Sequence, residues 1–305
     1  MDIYERFYKS MSEVYNLSDK TLKIYKINLK EFNQYMFGDK TATIEDIKAL
    51  TSDDIMIRWL KKKQSEGTSP AGLNQRKATL SRFYTYYMGL QMLNVNIPKT
   101  INGFKIQQKE KEILTLEESQ QLLDGVTKLA EEKPTYNNIR NELMINLFLG
   151  CGLRIEEVCE IRTTDFDLEN KKLHVHIAKF GKARKVSLPS KVIKSYLKHI
   201  DSRNKKYPNL DEDSKNIVFI SQKKNTLSTD QARKEVYKLL KEFNLPKITP
   251  HGLRHGFGTI MLSTGMLTLS ELSKEMGHNN INITHKWYIH QQEDRNLGEF
   301  NPLFN

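Results

Sequence analysis

The chain has only two cysteines, Cys151 and Cys159, in 305 residues, too few for a disulfide-built scaffold and in keeping with a reducing compartment. No apolar run approaches the roughly 18 residues of a membrane span, which excludes an integral helical membrane protein. The opening Met1-Asp2-Ile3-Tyr4-Glu5 lacks a basic segment followed by an apolar one, so no secretion signal is expected. No glycine-rich phosphate loop is found, which argues against a nucleotide-driven reaction. The acid pairs Asp53-Asp54 and Asp211 to Asp213 lie in ordinary polar contexts, whereas a two-metal nuclease needs converging carboxylates. A cytoplasmic protein that uses no membrane, metal or cofactor is the expectation these absences support.

What is present begins with size and charge. At 35.6 kDa the chain exceeds the length at which one hydrophobic core stops growing, so two domains are expected. The formal net charge is +11, and it is concentrated. Between Lys171 and Lys206 stand twelve Lys or Arg against the single acid Asp201. Such a field favours a polyanion, because each neutralised phosphate releases counterion, although a solvated charged face has the same composition. Aromatics are sparse in this stretch, so stacking on bases is not the implied mode.

The first hundred residues read as helical. Leu22, Tyr25, Leu29, Phe32 and Tyr35 recur at three- and four-residue steps behind a cap at Ser18. Ser52 caps a second helix carrying Ile55 and Trp59, and Ser69-Pro70 opens a third with Leu73, Leu80, Phe83, Tyr84 and Tyr87 inward. The other face of that third helix offers Asn74, Gln75, Arg76, Lys77, Ser81 and Arg82. These side chains suit phosphates and base edges in a major groove, and they equally suit a plain surface helix.

Pro98, Gly103 and the polar run Gln107 to Lys111 interrupt this pattern and read as a linker. The expected division is a helical domain over 1–100, a linker over 101–112 and a second domain over 113–305. Thr115-Leu116-Glu117-Glu118 is a capped helix start, and Glu142 to Leu149 an apolar helix ended by Gly150-Cys151-Gly152. Leu173 to Ile177 and Lys185 to Leu188 form a hairpin around Gly181, Ile217 to Ile220 is a further strand candidate, and the remainder is helical. The fold class is mainly α with a small β-sheet.

The local chemistry points to an anion. Thr249-Pro250 caps a helix whose first turn carries His251 and Arg254 on one face. A guanidinium fork there suits the non-bridging oxygens of a phosphate, and the neighbouring imidazole exchanges a proton near neutral pH. His255, four residues past His251, raises a zinc alternative, but the zinc-protease motif needs Glu where Gly252 stands. Gly277 stops a helix carrying Leu269, Leu272 and Met276 and sets His278 on a corner, where a local hydrogen-bonding role is the simpler reading. Tyr288 is one of 13 tyrosines and follows Trp287.

Taken in order and spacing, these elements resemble the tyrosine recombinase, or phage integrase, family, including its Xer-like members, over nearly the whole chain. The family's Thr-Gly-Leu-Arg-x-x-Glu block is similar to Cys151 through Glu157, and its hairpin lysine pattern to Ala178-Lys179-Phe180-Gly181-Lys182-Ala183-Arg184. Its Pro-His-x-Leu-Arg-His block matches Pro250 to His255, its Leu-Gly-His block Met276 to His278, and its Tyr-x-His ending Tyr288 to His290. Cys151, Phe180, Gly252 and Met276 depart from the usual residues, and none removes a chemical group. Tyr288 lies ten residues after His278, where nine is common in the family.

The resemblance implies a helical N-terminal core-binding, SAM-like domain followed by a tyrosine-recombinase catalytic domain. It implies Tyr288 as nucleophile, with Arg154 and Arg254 clamping the phosphate and His251 and His278 handling the proton and a hydrogen bond. Lys179 is then the acid for the leaving oxygen, and Glu157 orients the site. Lys182 and Arg184 join Asn74, Gln75, Arg76, Lys77 and Arg82 as expected DNA contacts. The implied partners are double-stranded DNA with a specific recombination site and three further copies of the chain, docked through a tail carrying Leu297, Phe300, Leu303 and Phe304. The alternative activity is nicking and rejoining of the type IB topoisomerase kind, without partner exchange.

Overall fold

The structure, a computed structural model, describes residues 2–106, 112–176, 183–221 and 225–277. The chain divides into two compact units, Met1–Lys109 and Glu110–Asn305.

The first unit holds α1 (Ile3–Glu13), α2 (Asp19–Phe37), α3 (Ile44–Lys48), α4 (Asp54–Ser65), α5 (Pro70–Gly89) and α6 (Ile97–Thr100). Caps set the starts: Ser18 accepts from the Thr21 N–H, Thr43 and Asp46 form a capping box, and Ser69 accepts from the Gly72 N–H ahead of Pro70. The start of α4 lies later than expected, because Asp53 occupies the cap position while the Ser52 hydroxyl accepts from the Asp54 N–H at 3.1 Å. The buried face accordingly carries Met56, Trp59 and Leu60, and Ile55 is exposed. Phe32 meets Trp59 edge-on at 5.3 Å, and α5 buries Leu73, Leu80, Phe83, Tyr84 and Tyr87. A buried hydrogen bond from Asn28 to Thr79, 2.9 Å long, fixes α2 on α5. Ile97 and Ile101 belong to this same core, so the segment expected to link the units gives its first residues to packing.

The second unit holds α7 (Leu116–Glu132), α8 (Tyr136–Cys151), α9 (Ile155–Glu160), β1 (Phe166–Asp167), β2 (Lys172–Val175), β3 (Arg184–Ser187), α10 (Ser190–Lys206), α11 (Glu212–Lys215), α12 (Thr229–Glu242), α13 (Pro250–Ser263) and α14 (Leu269–Met276). Helix α8 is buried on nearly every side, its polar Arg140, Asn141, Glu142 and Asn146 included, and α7, α10 and α13 all pack against it. Cys151 and Cys159 are buried free thiols, and burial pushes both up, Cys159 to about 12.

The sheet is antiparallel in the order β1, β2, β3, with Leu173 opposite Val186 and Val175 opposite Arg184. The segment from Ile217 to Ile220 is buried but is not a strand of this sheet; it makes only the single bridges Arg162 to Ile217 and Ile220 to Thr226. The Val218 N–H donates to Ile161 and the Phe219 carbonyl accepts from the Leu227 N–H, while side chains take the other carbonyls. Arg203 and His199 of α10 donate to the carbonyls of Ile217 and Val218 at 2.5 and 2.9 Å, and the Tyr136 hydroxyl donates to Ile220.

Candidate active site

Gly152 ends α8 in the left-handed region, at φ +59° and ψ +34°. A Cβ there would stand 2.4 Å from the Phe257 ring, so space and backbone both require glycine. The reversal buries Leu153 and places Arg154 in extended backbone as the cap residue of α9. Glu157 closes this corner by accepting the Arg154 backbone N–H at 2.8 Å and its Nη1 at 2.7 Å. Arg154 remains about one-third exposed.

Arg254 comes from α13, where Thr249 caps the helix by accepting from the Gly252 N–H and Pro250 takes the first turn. The Arg254 side chain is 1% exposed, and its Nη1 donates to the Gly152 carbonyl at 2.7 Å. His251, on the same turn, is exposed. Its Nε2 lies 3.0 Å from the Nε2 of buried His255, with the rings edge to face, so one imidazole donates to the other. The four-residue spacing that suggested a metal pair thus serves a direct His-to-His hydrogen bond.

Arg184 contradicts its expected role as a DNA contact. Its side chain is 7% exposed, and Nη1 and Nη2 donate to Oε1 and Oε2 of Glu157 at 2.7 and 2.9 Å. Strand alternation explains this, since Arg184 shares a face with buried Val186.

The three guanidiniums meet twice. Glu157 pairs with Arg154 and Arg184 at 2.7 Å and with Arg254 at 3.7 Å. At the end of α14, three consecutive carbonyls are each held by a different arginine: Glu275 by Arg184 at 2.7 Å, Met276 by Arg254 at 2.5 Å and Gly277 by Arg154 at 3.1 Å. Cations suit this carbonyl end of a helix. Burial pushes the Glu157 carboxyl up, but the hydrogen bonds and charge of Arg184, the Arg154 N–H and the charge of Arg254 outweigh it and lower it to about 2. One carboxylate facing three guanidiniums leaves positive charge in excess, which favours an anion.

Lys179, Lys182, His278 and Tyr288 lie outside the described residues. The structure therefore brings together Arg154, Arg254 and Glu157, and the Arg154 and Arg254 bonds end on the two residues immediately before His278. In the first unit, two of the expected DNA-reading residues are committed internally. The Asn74 amide donates to and accepts from Phe104 backbone at 2.8 Å each, and Arg76 holds Glu31 through Nε and Nη2. Arg82 lies 4.5 Å over the Tyr15 ring, Lys77 is half-buried, and Gln75 is exposed.

Comparison with known proteins agrees with this architecture. The phage integrase family matches residues 112–295, and its N-terminal SAM-like domain family matches residues 4–89. The tyrosine recombinase of Thermosipho africanus is 29% identical over 299 residues, covering 94% of each chain. The tyrosine recombinase XerC of Caldanaerobacter subterraneus subsp. tengcongensis is 28% identical over 320 residues, covering 99% of this chain and 87% of its own. Among solved structures, the integrase of the Tn1549 transposon in complex with circular intermediate DNA shares the fold at a TM-score of 0.74, with 22% identity and 99% of both chains covered. The chain belongs to the phage integrase family, the tyrosine recombinases, a class of DNA strand-transferring enzymes. Among the described residues, no helix is long and apolar enough to cross a membrane.

Proposed function

We propose that this protein is a site-specific DNA recombinase that cleaves and rejoins DNA through a 3′-phosphotyrosyl intermediate on Tyr288. The observation that carries this reading is the joint hold of Arg154 and Arg254 on Glu157 and on the carbonyls of Met276 and Gly277. In-line attack of the phenol oxygen on phosphorus creates a transition state with added negative charge on the non-bridging oxygens, and two preorganised guanidiniums match that charge.

In this mechanism His251 takes the phenolic proton, positioned by its bond to His255. The bond from phosphorus to the 5′ oxygen breaks as the tyrosyl bond forms, and Lys179 protonates the leaving oxygen. His278 adds a hydrogen bond to the phosphate. The 5′-hydroxyl of a second duplex then attacks the phosphotyrosine, releasing the phenol and restoring one diester for each one broken. Two exchanges in sequence pass through a Holliday junction. No step consumes ATP, and the arginines supply the charge that a metal ion supplies elsewhere.

The helical first unit, Met1–Lys109, contributes DNA contacts of its own through Gln75, Lys77 and Arg82, and Lys182 is a further contact in the second unit. A tetramer joined by residues from Leu297 onward arranges two DNA sites for exchange. The match of residues 4–89 to the SAM-like integrase domain favours this reading over topoisomerase-like nicking without partner exchange.

A nicked suicide duplex carrying the protein's site tests the chemistry. The wild type is expected to form a covalent protein–DNA adduct equally well in EDTA and in magnesium, and Tyr288→Phe to form none. An adduct with Tyr288→Phe would remove the nucleophile assignment, and strict metal dependence would remove the mechanism.

A further inference from the structure

Arg184 opens β3, and all three of its guanidinium nitrogens donate to protein acceptors: Nη1 and Nη2 to Glu157 at 2.7 and 2.9 Å, and Nε to the Glu275 carbonyl at 2.7 Å. The group is thus sealed from a DNA phosphate. Glu157, which it grips, holds Arg154 by two bonds and lies 3.7 Å from Arg254. The Glu275 carbonyl, which it also grips, directly precedes the Met276 and Gly277 carbonyls bound by Arg254 and Arg154. Gly277 accommodates this arrangement, because a Cβ at that position would stand 2.9 Å from Arg184 Cδ.

We propose that Arg184 is a positioning residue for strand cleavage: by fixing Glu157 and the end of α14 together, it sets the spacing of the two phosphate-clamping arginines. The role rests on the cleavage reading above. It also joins that spacing to the hairpin, since Arg184 begins the strand reached directly from the segment carrying Lys179. Only a planar fork makes these three bonds at once, and a lysine ammonium cannot span them.

The test uses the full-length protein and Arg184→Lys, with Lys185→Met, on the exposed face of the same strand, as control. Three quantities are read: the rate of covalent adduct formation on the suicide duplex, the Kd for uncleaved DNA, and the Nε–H NMR signals of Arg154 and Arg254. Arg184→Lys is expected to slow adduct formation about 100-fold, as a displacement near 1 Å does. Its Kd should change less than about threefold, because no phosphate contact is lost. The two arginine signals should shift or broaden in Arg184→Lys and stay in place in Lys185→Met. The double variant Glu157→Gln/Arg184→Lys is expected to be no slower than the slower of its two single variants, because both residues act on the same arginine spacing.

Equal losses in rate and affinity with unmoved arginine signals would make Arg184 a DNA contact and overturn the proposal, as would additive losses in the double variant. Should Arg184→Lys fail to fold, Arg184→Gln, which keeps an amide donor, takes its place with the same expectations. A wild type that forms no adduct, with arginine signals still lost in the variant, would remove the cleavage reading and leave the positioning of the arginines standing. An undiminished adduct rate in the variant would remove the positioning role alone.

Discussion

The guanidinium of Arg184 and the carboxylate of Glu157 meet fork to fork, through bonds of 2.7 and 2.9 Å, with both side chains nearly buried. The net value of such a buried pair is small, because desolvation offsets attraction, yet removing one partner strands the other. Glu157→Gln is accordingly expected to lower stability by about 3–5 kcal/mol. Urea unfolding monitored by circular dichroism measures it, and a loss below about 1 kcal/mol would mean that the three arginines find water or other acceptors.

Acid should act through the same group. Glu157 titrates at about 2 when folded, below its ordinary 4.5, so the unfolded chain binds the proton first. Its contribution is complete above about pH 4.5 and is lost as pH falls towards 2. The total is about 3 kcal/mol by the usual conversion of a pKa difference. Stability measured against pH should fall through this window in the wild type and be flatter in Glu157→Gln.

His199 predicts a second, higher window. Burial lowers its imidazole from 6.5 to about 4, only partly countered by its bond to the Val218 carbonyl, and nearby Arg203 and Arg140 add to the lowering. Protonation therefore favours the unfolded chain, and stability should decline as pH drops from 6.5 to 4, by about 3 kcal/mol in all. His199→Gln should lose this slope while unfolding more readily at pH 7, and an unchanged slope would assign the decline to other groups.

Gly152→Ala tests the corner that presents Arg154. The left-handed backbone and the Phe257 ring at 2.4 Å both oppose a methyl group, and the expected destabilisation is about 2–4 kcal/mol. Gly152→Ala combined with Phe257→Ala should recover part of that loss, measured as Tm, because the ring is then gone. No recovery would place the whole cost in the backbone.

Arg154 carries a prediction about rate. With its side chain one-third exposed and, in the proposed mechanism, its charge directed at a phosphate in transition, Arg154→Ala should lower the adduct rate by about 10²–10³-fold, the scale seen when one oxyanion donor is removed. DNA affinity should fall far less, and a parallel fall would make Arg154 a ground-state contact.

Much of this was legible in the chain. The caps at Ser18, Ser69, Thr115 and Thr249, the apolar run of α8 and the stop at Gly277 follow local rules that tertiary packing did not override. The pairing of Arg154 with Glu157 follows from a three-residue spacing on a helix start. Arg184 reads as a DNA contact from its place in the basic run and the hairpin pattern, although alternation with Val186 marks its face as buried. Asn74 and Arg76 read as groove-facing because their internal partners, Phe104 and Glu31, lie about 30 and 45 residues away and leave no local trace. The segment Ile217 to Ile220 departs from the expected strand for the same kind of reason, the carbonyls of Ile217 and Val218 being taken by side chains of α10 and that of Ile220 by Tyr136 of α8.

The three carbonyls that close α14 have a bearing on how the site comes apart. Undocking that one helix would remove an acceptor from Arg184, Arg254 and Arg154 in a single event, so local opening at the end of α14 and disassembly of the proposed phosphate clamp are one equilibrium. Hydrogen exchange at the amides from Leu272 to Gly277 is then a meter of clamp integrity without any DNA present, and a phosphate-mimicking anion bound by the clamp should slow it.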